Sequence, residues 1–162
     1  MKPKIVDNFL RPEEFDRISS DLYMCQWYIQ SSNTNNNSGF LIKHVSDEFY
    51  TKTLYNRVQE ELGLDTEIER VYFNGQWSGR DGELHTDRCD VTGLIYISEY
   101  NPNWGGFTQI VTSPTDQFIV PPVQGRLLLF DGNMYHKGYS YSYQDCPMRI
   151  SLAYKLNLKE ES

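Results

Sequence analysis

The chain has 162 residues, and its 15 lysine and arginine residues against 22 aspartate and glutamate residues give a formal net charge of −7. This length fits one domain that buries a core without disulfide or metal staples. The acidic excess argues against a partner bound through its nucleic-acid backbone, because such binding needs a basic surface. The longest apolar runs, such as 127–130, are far shorter than a membrane-spanning helix, so we expect no membrane partner.

The N-terminus and the cysteines indicate a cytoplasmic protein. Residues 1–8 contain two lysines but no apolar segment, so they lack the pattern of a secretory signal. Cys25, Cys89 and Cys146 are odd in number and widely spaced, and no C-x-x-C pair occurs. This arrangement fits neither a disulfide framework nor a zinc knuckle, so we expect reduced thiols.

The first third of the chain is predicted to be helical. Pro12 is followed by two acidic residues, which favours a helix over about 12–22 with one apolar face. The polar segment 31–39 is rich in turn-forming residues and is predicted to be a mobile loop. A second helix is predicted to begin at about 46–48 and end at Gly63, because apolar residues recur every four positions between these points.

The remainder of the chain is predicted to be rich in strands. Short β-branched and aromatic runs alternate with the turn dipeptides Asn74-Gly75, Asn101-Pro102 and Asp131-Gly132. The runs cover 68–73, 91–97, 107–111, 118–120, 125–130 and 148–156. This texture predicts a mainly β protein with flanking helices, folded as a jelly roll (a double-stranded β-helix, or cupin-like barrel) with the N-terminal helices packed on one sheet. We expect a single domain over 1–162, with a helical lead-in at about 1–66 and a jelly-roll core at about 67–158.

Two histidines and an aspartate form a candidate metal site. His85 and Asp87 are two residues apart, so in an extended segment both side chains point to the same side. His136 follows an apolar strand and a turn, where a folded-back sheet would bring it beside His85. Two imidazoles and one carboxylate with open coordination positions form the arrangement of non-haem Fe(II) sites. The spacing alone is a weak signal, and catalytic zinc or a non-enzymatic cupin-type metal or sugar binder remain alternatives.

Arg149 is a candidate anion anchor. From Arg149 to Tyr154 polar and apolar residues alternate strictly, so the apolar set faces the helices and Arg149 points into the barrel. A buried, unpaired guanidinium is costly. A bound carboxylate would satisfy it, because the planar fork of arginine matches a carboxylate. A buried acidic partner, or an exposed position on an edge strand, would explain it equally well.

The order of these features resembles a known family. Matching segments run along nearly the whole chain: 5–15, 71–75, 85–87, 94–98, 105–108, 121–130, His136 and 149–151. In this order they resemble the Fe(II)- and 2-oxoglutarate-dependent oxygenases, in their prolyl 4-hydroxylase-like branch.

The resemblance implies roles for individual residues. It implies that His85, Asp87 and His136 form the catalytic centre and ligate Fe(II). The expected co-substrate contacts are Arg149 and Tyr96 on the distal carboxylate of 2-oxoglutarate, Tyr72 near the co-substrate, and Ser151 as the second member of an R-x-S pair. Dioxygen is the implied second co-substrate, with ascorbate as a supporting reductant.

The resemblance also implies a reaction but leaves its substrate open. We expect hydroxylation of a C–H bond, first of all in a prolyl residue of a peptide or protein. An aromatic lining made by Trp77, Trp104, Tyr139 and Tyr141 would suit such a peptide. A free amino acid, another small molecule, and an AlkB-like nucleic-acid demethylation are the alternatives, the last disfavoured by the net charge.

Overall fold

Two antiparallel sheets form the body of the protein. The computed structural model describes residues 1–30, 40–143 and 145–159. Within these residues the strands are β1 (Lys4–Val6), β2 (Tyr28–Gln30), β3 (Phe40–His44), β4 (Thr66–Gln76), β5 (Val91–Tyr96), β6 (Thr108–Val111), β7 (Gln117–Val120), β8 (Leu127–Asp131), β9 (His136–Gly138) and β10 (Arg149–Leu158). The larger sheet has the order β1-β8-β5-β10-β4-β3-β2, and the smaller has the order β7-β6-β9.

Two helical regions precede and follow β2 and β3. Helix α1 (Pro12–Tyr23) has Pro12 at its first position, and the side chain of Glu14 accepts a hydrogen bond from the backbone N–H of Arg11 at 2.8 Å. This satisfies a backbone donor at the helix start. A π-helical segment, Phe49–Leu54, continues into α2 (Tyr55–Leu62). Gly63 ends α2 with φ 70°, a left-handed conformation that glycine adopts readily.

The predicted helices are confirmed, with small differences in their bounds and in the geometry of the second. Helix α1 ends one residue later than predicted, at Tyr23. The second helical region starts at Phe49 rather than at 46–48, and its first turns are π-helical. The predicted loop 31–39 lies outside the described residues. No helix in the described ranges is long and apolar enough to cross a membrane.

Each predicted strand has a counterpart, but one predicted turn is wrong. Asn74 and Gly75 lie inside β4, which continues to Gln76 because it is hydrogen-bonded to β10 on one side and to β3 on the other. A side chain at Gly75 would meet Met148 and Trp27, so close packing explains the glycine. The strands β1, β2, β3 and β9 were not predicted. Strands β1, β2 and β9 have three residues each, too few to show an alternation, and β3 buries the adjacent residues Leu41 and Ile42 instead of alternating.

The helices cover one face of the larger sheet, and the smaller sheet faces the other. Ile18, Leu54 and Val58 are fully buried against the apolar face of β10, which Leu152 and Tyr154 present. Residues of the opposite face of β10 pack towards β6 and β7. The predicted jelly roll with its N-terminal helices on one sheet is therefore confirmed, and the polar alternate residues of β10 face the interior between the sheets.

Candidate active site

His85, Asp87 and His136 meet at one end of the space between the sheets. His136 is the first residue of β9, and an isolated antiparallel bridge joins it to His85. Their backbones exchange two hydrogen bonds, at 3.0 and 2.8 Å. One potential ligand atom from each of the three side chains lies within 4.8 Å of the others. Asp87 Oδ1 is 3.5 Å from Nε2 of His85, and Asp87 Oδ2 is 3.1 Å from Nε2 of His136.

The backbone orients both imidazole rings. Nδ1 of His85 lies 2.8 Å from the carbonyl oxygen of Glu83, and Nδ1 of His136 lies 2.9 Å from that of Met134. A carbonyl oxygen only accepts, so Nδ1 is the protonated nitrogen in both rings. In the neutral form of each ring, Nε2 carries the lone pair and faces Asp87. This is the tautomer that a metal-binding histidine needs.

Asp87 is buried and held by two donors. Its Oδ2 accepts a hydrogen bond from the hydroxyl of Thr92 at 2.6 Å and forms an ion pair with Nζ of Lys155. Burial acts to raise the pKa of Asp87, but its contacts with His136 and His85 and the charge of Lys155 outweigh burial and hold that pKa well below its usual range. The ionised form of Asp87 is therefore favoured, and a carboxylate suits a cation.

A cavity of about 90 Å³ extends from these residues into the barrel. It joins the metal-ligand end to Arg149 and has polar groups along its length. Its lining residues are Phe40, Tyr72, Asn74, Gln76, Gly82, His85, Leu94, Thr108, His136, Gly138, Arg149, Ser151 and Lys155. A volume this small suits a compact metabolite rather than a drug-sized ligand.

Arg149 closes the far end of the cavity and is 2% exposed. Its Nε donates to the carbonyl of Gly106 at 2.7 Å, and its two terminal nitrogens donate to Gln76 Oε1 at 2.7 Å and Thr108 Oγ1 at 3.0 Å. All three acceptors are neutral. Among the described residues no carboxylate forms an ion pair with Arg149, so neither a buried acidic partner nor an exposed edge position accounts for it.

The contacts around Arg149 leave donors for an anion. A guanidinium has five N–H groups, and three are used. Burial lowers the pKa of Arg149 because the charged form is desolvated, while the electrostatic influence of Tyr96 and Tyr141 acts to raise it. A carboxylate bound here would supply the missing negative charge and take the remaining donors.

Thr108, which the sequence analysis did not single out, stands between Tyr96 and the cavity. The hydroxyl of fully buried Tyr96 donates to Thr108 Oγ1 at 2.7 Å, and Arg149 donates to the same oxygen. With two hydrogen bonds accepted, the hydroxyl proton of Thr108 remains to donate. Thr108 borders the cavity and Tyr96 does not. Tyr96 therefore lies behind Thr108 as seen from the cavity, and its direct contact with a co-substrate stays a prediction.

The other predicted residues fall into two groups. Tyr72 and Ser151 are among the lining residues of the cavity, and their contact with a co-substrate stays a prediction. The four aromatic residues predicted as a lining, Trp77, Trp104, Tyr139 and Tyr141, do not border this cavity. Tyr139 and Tyr141 line a separate surface cleft of about 300 Å³, and Trp77 is half exposed.

Further polar residues of the cavity were missed from sequence. Lys155 was detectable, because the alternation from Arg149 puts every second residue of β10 on the inner face. Gln76 was missed because a turn was predicted before it. Asn74, also on β4, borders the cavity, and its buried Oδ1 has no hydrogen-bond partner among the described residues. An unpaired buried acceptor is rare, and a ligand or a water molecule in the cavity would supply the missing donor.

Comparison with known proteins agrees with this arrangement at the level of fold. No protein-family model matches the chain, and no curated protein sequence matches it either. Solved structures do match. A 2OG-Fe(II) oxygenase-family oxidoreductase from Burkholderia pseudomallei superposes with a TM-score of 0.78 at 11% identity, covering 96% of this chain and 84% of that one. The chain has the fold of the 2-oxoglutarate/Fe(II) oxygenases.

Two prolyl hydroxylases share this oxygenase fold. The prolyl-4-hydroxylase of Pseudomonas putida matches with a TM-score of 0.71 and 18% identity, over 98% of this chain and 93% of that one. The prolyl hydroxylase of Trichoplax adhaerens, solved with a hypoxia inducible factor oxygen degradation domain peptide fragment, matches with a TM-score of 0.72 and 20% identity, over 96% and 83%. The resemblance noted in the sequence thus extends to the tertiary structure.

Proposed function

We propose that the protein is an Fe(II)- and 2-oxoglutarate-dependent dioxygenase that hydroxylates a C–H bond. The observation that carries the proposal is the pairing, at the two ends of one small cavity, of a His-Asp-His cluster with a buried arginine that has no acidic partner among the described residues. The first group suits a divalent metal, and the second suits the distal carboxylate of a small dicarboxylate.

The residues present fit both groups. Two neutral imidazoles and one carboxylate are suitable ligands for Fe(II) and leave positions for other ligands. His85, Asp87 and His136 would hold the iron, which when bound would supply dioxygen activation coupled to decarboxylation of 2-oxoglutarate to succinate. Arg149 and Thr108 would bind and orient the far carboxylate. Buried apolar neighbours such as Leu94 would exclude water from the cavity.

For the substrate, we propose a prolyl residue in a peptide or protein. The support is the similarity in fold to two prolyl hydroxylases, one of them solved with a peptide fragment. A free amino acid or another small molecule is the second candidate, because the cavity itself is compact. The net charge of −7 argues against a nucleic-acid substrate.

A test of the reaction uses purified protein with Fe(II), ascorbate and 2-oxoglutarate under air. We expect slow formation of succinate without substrate, and loss of that activity in His136→Ala. His44→Ala is the matched control, since His44 is the third histidine of the chain, on β3 and outside the cavity lining. Undiminished turnover in His136→Ala, or no binding of 2-oxoglutarate at millimolar concentration, would contradict the proposal.

A test of the substrate uses mass spectrometry on proline-rich peptides and on free amino acids incubated with the active protein. Gain of one oxygen atom on a prolyl residue, accompanied by faster succinate formation, is the expected result. The same gain on free amino acids alone would favour the small-molecule alternative. Metal analysis after anaerobic purification separates an iron enzyme from a zinc hydrolase.

A further inference from the structure

Lys155 is a buried charge at the metal-ligand end of the cavity. It lies on β10 with 3% of its surface exposed and borders the same cavity as His85 and His136. Its ammonium group forms an ion pair with Oδ2 of Asp87. A buried lysine is costly unless it is paired, so this contact fixes the position of both side chains. The strand alternation that brings Arg149 to one end of the cavity brings Lys155 to the other.

The two oxygens of Asp87 have unequal surroundings. An ionised carboxylate oxygen has about two lone-pair sites in the plane of the group. At Oδ2 the hydroxyl of Thr92 and the ammonium of Lys155 take these sites, and Nε2 of His136 lies 3.1 Å from the same oxygen. At Oδ1 the contact in the described structure is Nε2 of His85, at 3.5 Å. Although His136 lies nearer to Oδ2, both lone-pair sites of Oδ2 are occupied by donors, so Oδ1 is the oxygen with a lone pair to offer a metal.

We propose that Lys155 is a positioning residue for the metal centre, which together with Thr92 clamps Oδ2 of Asp87 so that Asp87 offers a metal one oxygen, Oδ1. This inference rests on the proposed function, because it concerns the same metal site. A carboxylate held in this way uses a single coordination position. The positions that remain are those that 2-oxoglutarate and dioxygen need.

The charge of Lys155 has a second consequence. Its ammonium cancels the charge of Asp87, so the site is less attractive to a bare divalent cation than a free carboxylate would be. Once a metal is bound, the same ammonium makes the site more positive and favours the dianion 2-oxoglutarate. Lys155 thus weakens binding of the metal alone and strengthens binding of the co-substrate to the metal-loaded protein.

The test compares Lys155→Met with Lys155→Arg and wild type. Lys155→Met keeps the length of the side chain but removes its charge and donors, whereas Lys155→Arg keeps both. Lys159→Met is the matched control, because Lys159 is exposed and pairs with Asp65 at 2.8 Å, away from the cavity. Thermal unfolding identifies any variant that fails to fold, and in that case Lys155→Gln replaces Lys155→Met.

Three measurements on metal-free protein reconstituted anaerobically test the inference. Mn(II) affinity without 2-oxoglutarate, followed by electron paramagnetic resonance, should rise about threefold to tenfold in Lys155→Met. Affinity of 2-oxoglutarate for the Mn(II)-loaded protein should fall about tenfold. The visible absorption of the Co(II) protein should change as Asp87 is released from its single-oxygen geometry. Lys155→Arg should restore all three properties, and Lys159→Met should match wild type.

The outcomes separate this inference from the proposed function. Wild-type protein that binds neither Mn(II) nor 2-oxoglutarate would overturn both. If wild-type protein binds both, but Lys155→Met binds Mn(II) with unchanged or lower affinity, then only the role of Lys155 is overturned. Unchanged 2-oxoglutarate affinity in Lys155→Met would do the same.

Discussion

Replacing Arg149 tests the co-substrate end of the cavity. In Arg149→Met the guanidinium is lost, and with it the two N–H donors that are not committed to Gly106, Gln76 and Thr108. Charged hydrogen bonds in a dry site contribute about 1.5–3 kcal/mol each, and removing one partner of a buried charge pair costs about 2–5 kcal/mol. We therefore expect the affinity for 2-oxoglutarate to fall by about 3 kcal/mol, which is roughly 100-fold or more.

The same substitution also affects folding. It leaves three buried acceptors without their donor, at a cost of about 1–3 kcal/mol for each one that water does not reach. Loss of a desolvated charge offsets part of this cost. Arg149→Lys is a second variant, which keeps the positive charge but loses the planar guanidinium. We expect its affinity for 2-oxoglutarate to fall by an intermediate amount, about tenfold.

The assay is isothermal titration of 2-oxoglutarate into Mn(II)-loaded protein under nitrogen, which measures binding without turnover. Arg17→Met serves as the control, because it removes the same charge from the helical surface, where Arg17 pairs with Asp21. Mn(II) affinity should change less than about threefold in Arg149→Met, since Arg149 does not touch the three metal-binding side chains. A folded Arg149→Met that binds 2-oxoglutarate as wild type does, or that loses Mn(II) to the same extent, would refute the reasoning.

Three further predictions concern the surroundings of the site and the fold. Thr108→Val should weaken 2-oxoglutarate binding about tenfold, and Tyr96→Phe only about threefold, because Thr108 borders the cavity and Tyr96 acts through it. If titration of 2-oxoglutarate gives the larger loss in Tyr96→Phe, then Tyr96 contacts the co-substrate itself. Gly106→Ala should lower the free energy of unfolding, measured by chemical denaturation, by at least about 2 kcal/mol. The reason is that Gly106 has φ +79° and an added Cβ would lie 2.5 Å from the ring of Tyr141. A decrease of less than about half this amount would show that the loop adapts. Glu14→Ala should lower the free energy of unfolding by about 3–5 kcal/mol in the same measurement, because Arg57 of α2, which pairs with Glu14 at 2.5 Å, loses its partner. Mn(II) binding should not change, since neither residue borders the cavity. Weaker Mn(II) binding would contradict this separation.

Patterns within short segments of the sequence predicted much of the fold and part of the candidate site. The apolar periodicity of the helices, the alternation along β10 and the turn at Asp131-Gly132 are properties of short segments, so they predict helix faces, strand faces and the inward direction of Arg149. The spacing of His85 and Asp87 is local in the same sense. Strands β1, β2 and β9 were not predicted because three residues are too few to show a period, and β3 was not predicted because its apolar residues are adjacent rather than alternating.

Contacts between distant segments depended on the tertiary structure. The sequence by itself identified His85, Asp87, His136 and Arg149 as candidates for a metal and anion site, because residue type and strand alternation do not depend on the rest of the chain. It left the partner of Arg149 open. Only the sheet register decided that His136 pairs with His85, that Thr108 stands between Tyr96 and the cavity, and that Lys155 reaches Asp87. The physical reason is that backbone hydrogen bonding fixes which strands are neighbours, and one residue of slip would turn each of these side chains to the opposite face.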